Sequence, residues 1–462
     1  MEDFMKLKIP NTYVLLFVIV IIFGAASFFI PSGTFDRITD SDTGITYVVY
    51  DSFRYIDKEN ISLFDFIKAI PDGMMQASDI IMFVLITGGS FGIINSTGTI
   101  NTLVSRIVKL YGKNGKRVIP IVMIVFSLAG AVFGTAEEAL PLYPIFIALA
   151  LALGFDRITG VSMVLLGTGA GFVAGFLNPF TVGIAQEVSE LPLFSGIEIR
   201  LLAYVIFVST AIIYVYVHAS KVENRDVDTV NLYGENQTYG YDFNNLPEFT
   251  DRHKRVVMVV VASIIFLIIG IAKWQFYILE ISTTFLIMGI ASGVVSGLHS
   301  GRIVLEFIKG ASSLMYGALI IGMARSIMVI MEYSQIMDTV IYKLSLLVKG
   351  FAPAVSSIIM FFVQSLINIF ITSGSGQAAV TMPIMKNLAD ISGVPRQTAV
   401  LAFQFGDGFS NVISPTSGYF MAALGLASIK WRDWLNYMLP LFIIWCIEGC
   451  ILLIISIKIF IN

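Results

Sequence analysis

Residues 134–144 read GTAEEALPLYP, in the middle of an apolar region that runs from 118 to 153. A charged side chain at bilayer depth is costly, and proline deletes an amide hydrogen from the helix ladder. The region is too long for one tilted helix, and the basic residues flanking it put both ends on one side of a membrane. Residues 118–153 therefore predict a re-entrant helical hairpin with Gly134, Thr135, Glu137 and Glu138 at its tip. Residues 372–383 read TSGSGQAAVTMP and repeat the pattern inside 352–391. This predicts a second hairpin, tipped by Thr372, Ser373, Gly374, Ser375, Gly376 and Gln377. Glycines let the backbone turn sharply and approach a ligand. Non-helical backbone at that depth persists only where protein buries it or it lines a cavity.

The rest of the chain supports a membrane setting. Of 462 residues, 56% are hydrophobic and 13% are charged, against about a quarter charged in soluble domains. Mean hydropathy is +0.83. Runs such as 13–30, 197–217, 256–272 and 435–460 are long enough to cross a hydrocarbon core of about 30 Å. Alternating strands are absent, so the fold class is an all-α polytopic protein, integral to the plasma (inner) membrane and surrounded by lipid bilayer. A net charge of −3 argues against nucleic acid as a partner. Residues 13–30 are long for a signal peptide and lack a cleavage site, so they read as the first span. Cys446 and Cys450 read as packing residues, and the three histidines, in or beside loops, leave no metal cluster.

Charge sets an expected topology. Residues 31–77 carry eight acidic and four basic residues, whereas 96–117 carry five basic and none acidic. The positive-inside rule puts the N-terminus and 96–117 in the cytoplasm and the acidic segment outside. Residues 1–78 are then the first span and an acidic outer loop, and 218–255 a cytoplasmic linker. Residues 256–310 are connecting spans between a first repeat, 79–217, and a second, 311–462. At one constant offset Gly154-Phe155-Asp156-Arg157 falls on Gly393-Val394-Pro395-Arg396, Pro144 on Pro383 and Glu138 on Gln377. Gly167-Thr168-Gly169 falls on Gly406-Asp407-Gly408, and Gly88 has a counterpart in Gly322. Several matches in register indicate an internal repeat, and span counting makes the two copies inverted. Pro144 and Pro383 read as shared hairpin architecture.

Each hairpin is followed by a segment, 158–186 and 397–428, with a GxG and then an Asn-Pro or Ser-Pro break. A break frees carbonyls that suit a cation and amides that suit a carboxylate. The candidates are Gly167, Thr168, Gly169, Asn178 and Thr181 in the first segment. In the second they are Asp407, Ser410, Asn411, Ser414, Thr416 and Ser417. Small and hydroxyl residues also serve helix packing alone, the competing reading for each GxG. Of the intramembrane charges, Glu138 and Asp407 lie in repeated motifs and read as direct ligands. Glu137 lines a pore or pairs locally. Arg325 and Glu332, two turns apart, either pair with one another or offer Arg325 to a substrate carboxylate. Glu448, in the last span, reads as a structural pair.

With IPSGTFDR (30–37), GTAEEALPLYP and GDGFSNVISPTSGY (406–419), the chain resembles the YfcC-like branch of the C4-dicarboxylate carrier (DcuC-type) family. That family sits in the ion transporter superfamily with the AbgT and divalent anion/sodium symporters. The resemblance implies a homodimer whose scaffold domains hold mobile transport domains, each with two hairpins and two interrupted helices, moving as an elevator. It implies either dicarboxylates or, from antiporter-like members, arginine and ornithine as substrates. The carboxylates Glu137, Glu138 and Asp407 favour a cationic or zwitterionic amino acid, with its ammonium or guanidinium on Glu138 and Asp407. The alternative is a symporter of C4-dicarboxylates or other small carboxylates, with Na+ or H+ as coupling ion on the same carboxylates. No other metal or cofactor is implied. A membrane enzyme would need a nucleophile–base pair or metal cluster near the polar centres, and a channel would not need two interrupted repeats.

Overall fold

The structure, a computed structural model, describes residues 12–39, 46–57, 61–223, 249–274 and 276–460. Helix α1 (Thr12–Ser27) leads into four short strands, β1 (Gly33–Thr34), β2 (Arg37–Thr39), β3 (Thr46–Val48) and β4 (Arg54–Tyr55). Helices α2 (Leu63–Gln76), α3 (Ser78–Ser96), α4 (Thr99–Tyr111), α5 (Val118–Phe133) and α6 (Tyr143–Ala152) follow. Next come α7 (Arg157–Ala174), α8 (Ile184–Val188) and α9 (Ile197–Glu223). The later part holds α10 (Asp251–Trp274), α11 (Ile278–Val295), α12 (Ser300–Tyr333) and α13 (Met337–Ser345). It ends with α14 (Pro353–Asn368), α15 (Gly374–Ser392), α16 (Arg396–Ser410), α17 (Gly418–Leu426) and α18 (Trp431–Phe460). Among the described residues eight helical segments are long and apolar enough to cross a membrane.

Two helix groups pack closely through small residues. In the first, α3 and α12 cross at glycines: a Cβ on Gly310 would meet the Gly88 carbonyl at 2.3 Å, and one on Gly92 the Glu306 carbonyl at 2.5 Å. Helix α2 lies on α12 through Gly73 and Ser326, and α11 lies on α3 through Gly289 and Ser90. In the second group α5 packs on α7, where a Cβ on Gly130 would meet the Thr168 carbonyl at 2.2 Å. Helix α14 packs likewise on α16 through Gly406, and α7 meets α16 through Gly408 against Val173, while Gly169 meets Val412 just past the end of α16. Small residues let backbones approach where helices share no hydrophobic driving force. Helices α7 and α16 are buried almost end to end.

Several expectations change. The fold is not purely helical, since β1 pairs with β4 and β2 with β3, both antiparallel. The acidic segment 31–77 is not all loop: Ser62 and Asp65 form a capping box that starts α2. The first apolar run ends as a helix at Ser27, short of 30, because the residue before Pro31 disfavours helical backbone. Helix α10 begins at Asp251, so Asp251-Arg252-His253-Lys254-Arg255 forms its first turns rather than the end of a linker. The remainder of that linker, 224–248, lies outside the described residues. His218 sits within α9 and reaches Asp156 Oδ2 at 2.9 Å, the side chain that caps α7. Gly88 adjoins Leu314 and Gly310 of α12, and Gly322 adjoins Met74 of α2 and Ile81 of α3.

Candidate functional site

Helix α5 ends on Gly134, whose φ of 64° is the left-handed conformation that terminates a helix. A Cβ there would also meet Asn178 Oδ1 at 2.7 Å, so the tip and the neighbouring break touch at a position only glycine fills. The chain then makes a 3-10 turn, Glu137–Leu142, before α6. Pro141 lies in that turn and Pro144 in the first turn of α6, where a missing amide hydrogen costs little. Pro383, its counterpart by sequence, is in the interior of α15, which starts earlier at Gly374. The two prolines therefore do different work. Glu138 Oε2 accepts from the Ala136 amide at 3.0 Å.

The segments after the hairpins break as their prolines dictate. Helix α7 ends at Gly175 (φ 49°), and Asn178 Oδ1 accepts the amides of Phe180 (3.0 Å) and Thr181 (3.3 Å). A π-helical turn, Pro179–Gly183, continues into α8. Helix α16 is shorter than α7, 15 residues against 18, which lengthens the second break. Two freed carbonyls there are taken by indoles of α18: Trp434 Nε1 donates to Val412 and Trp431 Nε1 to Ile413, both at 2.9 Å. Asn368 Nδ2 donates to the Asp407 carbonyl (2.7 Å), Ser410 Oγ (2.7 Å) and Asn411 Oδ1 (3.1 Å). Ser417 precedes α17 without capping it.

Both tips and both breaks converge on a cavity of about 320 Å³. Of the residues singled out from sequence, Gly134, Thr135, Glu137, Glu138, Thr181, Arg325, Thr372, Ser373, Gly374, Ser375, Asn411 and Ser417 line it. Asp407 does not. It is fully buried behind Gly374, where an added Cβ would meet Thr181 Cγ2 at 2.6 Å and Asp407 Oδ2 at 2.8 Å. Asp407 Oδ1 accepts from Asn411 at 3.0 Å, while Oδ2 and Thr181 Oγ1 are buried without a partner among the described residues. Gly167 and Gly169 are helix contacts, against Met123 and Val412, and Thr168 donates to its own helix at Val164. Asn178 caps, Gly376 donates its amide to Ser373, and Gln377 Nε2 donates to Gln364. Ser410 donates to Gly406, and Ser414 and Thr416 bond each other, all outside the lining.

The cavity is polarised. Glu137, Glu138 and Asp79 supply three carboxylates, and Arg325 supplies the guanidinium. No ion pair joins Arg325 to any of them among the described residues, nor to Glu332. The N-termini of α15 and α17 also open here, with Gly374, Ser375, Gly418 and Tyr419 in the lining. First-turn amides of a helix lack internal partners and carry partial positive charge. Sequence reasoning missed Gln76, Asp79, Phe180, Tyr277 and Tyr419 of this lining. An acid in the first turn of the apolar α3 was the available signal for Asp79. Phe180 and Tyr277 pack edge-on-tilted across the cavity, ring centroids 5.9 Å apart. Glu448 accepts from Thr210 at 2.7 Å, far from this site in the α9–α18 contact.

Known proteins resemble this chain along most of its length. The profile of the family described as C4-dicarboxylate anaerobic carrier matches residues 9–458. A protein of Escherichia coli (strain K12) named "Putative basic amino acid antiporter YfcC" is 33% identical over 469 residues, covering 92% of each chain. An uncharacterized protein of Haemophilus influenzae is 26% identical, covering 98% of this chain and 97% of its own. Among solved structures, the YdaH transporter of Alcanivorax borkumensis aligns over 97% of this chain and 99% of its own, at a TM-score of 0.46 and 15% identity. MtrF of Neisseria gonorrhoeae, described with a class of antimetabolite efflux pumps, aligns over 98% and 96% at a TM-score of 0.45 and 18% identity.

Proposed function

The chain belongs to the C4-dicarboxylate anaerobic carrier family and is an integral membrane transporter, and on that premise we propose that it exchanges amino acids, cationic ones preferred. The observation that carries this reading is the polarised cavity. Charges of both signs line one space without pairing, which suits a ligand carrying both signs. The ammonium or guanidinium of the substrate meets Glu137, Glu138 and Asp79. Its carboxylate meets Arg325 and the helix N-termini at Gly374 and Gly418. The name given to the Escherichia coli relative, a basic amino acid antiporter, supports the same chemistry.

Transport proceeds by alternating access in a homodimer, with the hairpins and interrupted helices of two inverted repeats moving as an elevator against a scaffold. The protein lies in the plasma membrane with its N-terminus in the cytoplasm. The test is uptake into proteoliposomes across arginine, ornithine, neutral amino acids, succinate and short fatty acids, with and without a sodium gradient. Strong succinate uptake indifferent to arginine would sink the reading.

A second reading, a cation-coupled carrier of C4-dicarboxylates, draws on the family's description and on two buried atoms. Asp407 Oδ2 and Thr181 Oγ1 are buried oxygens without partners among the described residues, and both side chains adjoin Gly374. Such a pair suits a coupling Na+ or H+, and leaves Asp407 to the ion rather than to the substrate. Uptake that requires a sodium or proton gradient in the panel favours this arrangement.

A further inference from the structure

Arg325 is half-buried on α12, and its surroundings fix how it can be approached. Its Nε donates to Gln76 Oε1 at 3.3 Å, and Gln76 Nε2 donates in turn to Glu332 Oε2 at 3.4 Å. Gln76 is the last residue of α2, and the joint to α3 at Ala77 follows at once. That joint is held against α12 at two nearby points. At Gly73 a Cβ would meet Ser326 Oγ at 2.5 Å and the Gly322 carbonyl at 2.8 Å, so the backbones touch beside Arg325. At Asp72, Oδ2 accepts from Tyr333 Oη at 2.7 Å. The backbone of α2 is therefore fixed beside Arg325, and the exposed side chain of Gln76 reaches the guanidinium from there.

We propose that Gln76 is a positioning residue that aims Arg325 at the substrate carboxylate, an inference that rests on the amino-acid reading of the same cavity. A guanidinium can meet a carboxylate through its Nε edge or through its two terminal nitrogens. Gln76 occupies Nε, so the edge formed by Nη1 and Nη2 is left to face the cavity. The neutral amide matters. A carboxylate at position 76 would pair with Arg325 and cancel the charge the substrate needs, while Gln76 holds the group and leaves it cationic. By accepting from Arg325 and donating to Glu332, Gln76 also stands between two oppositely charged residues of one helix face.

The test measures binding to the purified full-length protein by calorimetry, with arginine and with agmatine, its decarboxylated form. Gln76→Glu is expected to weaken arginine about tenfold or more and to leave agmatine within about threefold. Gln76→Met, similar in shape but without the acceptor, weakens arginine less and spares agmatine. Equal losses for both ligands would make Gln76 a merely structural residue and overturn the proposal. If the wild type binds succinate but not arginine, the amino-acid reading fails. The positioning role then survives only if Gln76→Glu weakens succinate. Binding of none of the three overturns both.

Discussion

The two halves of the molecule break their helices in opposite ways. The first break caps itself: Asn178 accepts the amides that Pro179 leaves exposed, and the preceding tip adds Glu137 and Glu138. The second break bonds within itself at Ser414 and Thr416, is otherwise held by Trp431, Trp434 and Asn368, and leaves the N-terminus of α17 without a side-chain cap at the cavity. One half thus contributes acid and the other contributes amides. Two unlike breaks give a site with two poles, which a symmetric pair of breaks would not. Selectivity then resides where the two breaks differ, and stability where each break finds its caps.

The comparison breaks most severely at the acidic pole. Glu137→Gln combined with Glu138→Gln should lower kcat/KM for arginine uptake by about a hundredfold or more, with the protein still folded and inserted. Retained uptake would remove the carboxylates from recognition. Gly374→Ala comes next, because the new methyl group would press on Thr181 Cγ2 and Asp407 Oδ2 at once. Uptake should fall by about tenfold or more, since neither neighbour is a flexible chain end and a core forced to overpack costs 1–3 kcal/mol. An unchanged rate would mean that this contact opens freely.

Smaller effects sharpen the account of the caps. Trp434→Phe removes the donor to the Val412 carbonyl and should cost about 1–3 kcal/mol in thermal unfolding, because a buried acceptor is left alone. Asn178→Ala should cost about 1 kcal/mol by the same measurement, as loss of a helix cap. If Asn178→Ala proves the more damaging of the two, the first break depends on its cap more than the second does on the indole. The least effect is electrostatic. Arg396 and then Lys386 hold the Glu190 carboxyl down to about 2. A lowered folded value means the stabilisation is present above the ordinary carboxylate range near 4.3 and is lost as pH falls toward 2. The melting temperature should therefore stay flat from pH 7 to 5 as far as this group is concerned. Glu190→Gln should flatten part of the decline below about pH 4.

Much of this was legible in the sequence because polar and Gly/Pro interruptions are conspicuous in apolar helices. The tips at 134–138 and 372–375 and the break residues Thr181, Asn411 and Ser417 all border one cavity. Asp407 was visible as a charge, but not that Gly374 would stand between it and the space. The GxG motifs were ambiguous between ligand and packing, and Gly167 and Gly169 lie in helix contacts. Phe180 and Tyr419 lie within the interrupted segments, whereas the other missed residues come from elements outside them. Gln76 and Asp79 belong to the α2–α3 joint, and Tyr277 to the α10–α11 connection, and each is brought to the cavity by packing between distant segments. No local pattern marks such a position. Arg325 was noticed as a charge, but its partner Gln76 lies on a helix hidden in what read as a loop.

Counterflow puts the two-pole amino-acid site to the test. Proteoliposomes are loaded with labelled arginine, and external unlabelled arginine or succinate is added. External arginine should accelerate efflux several-fold while succinate should not, and Glu137→Gln with Glu138→Gln should abolish the acceleration. Efflux driven by succinate and indifferent to arginine would contradict it.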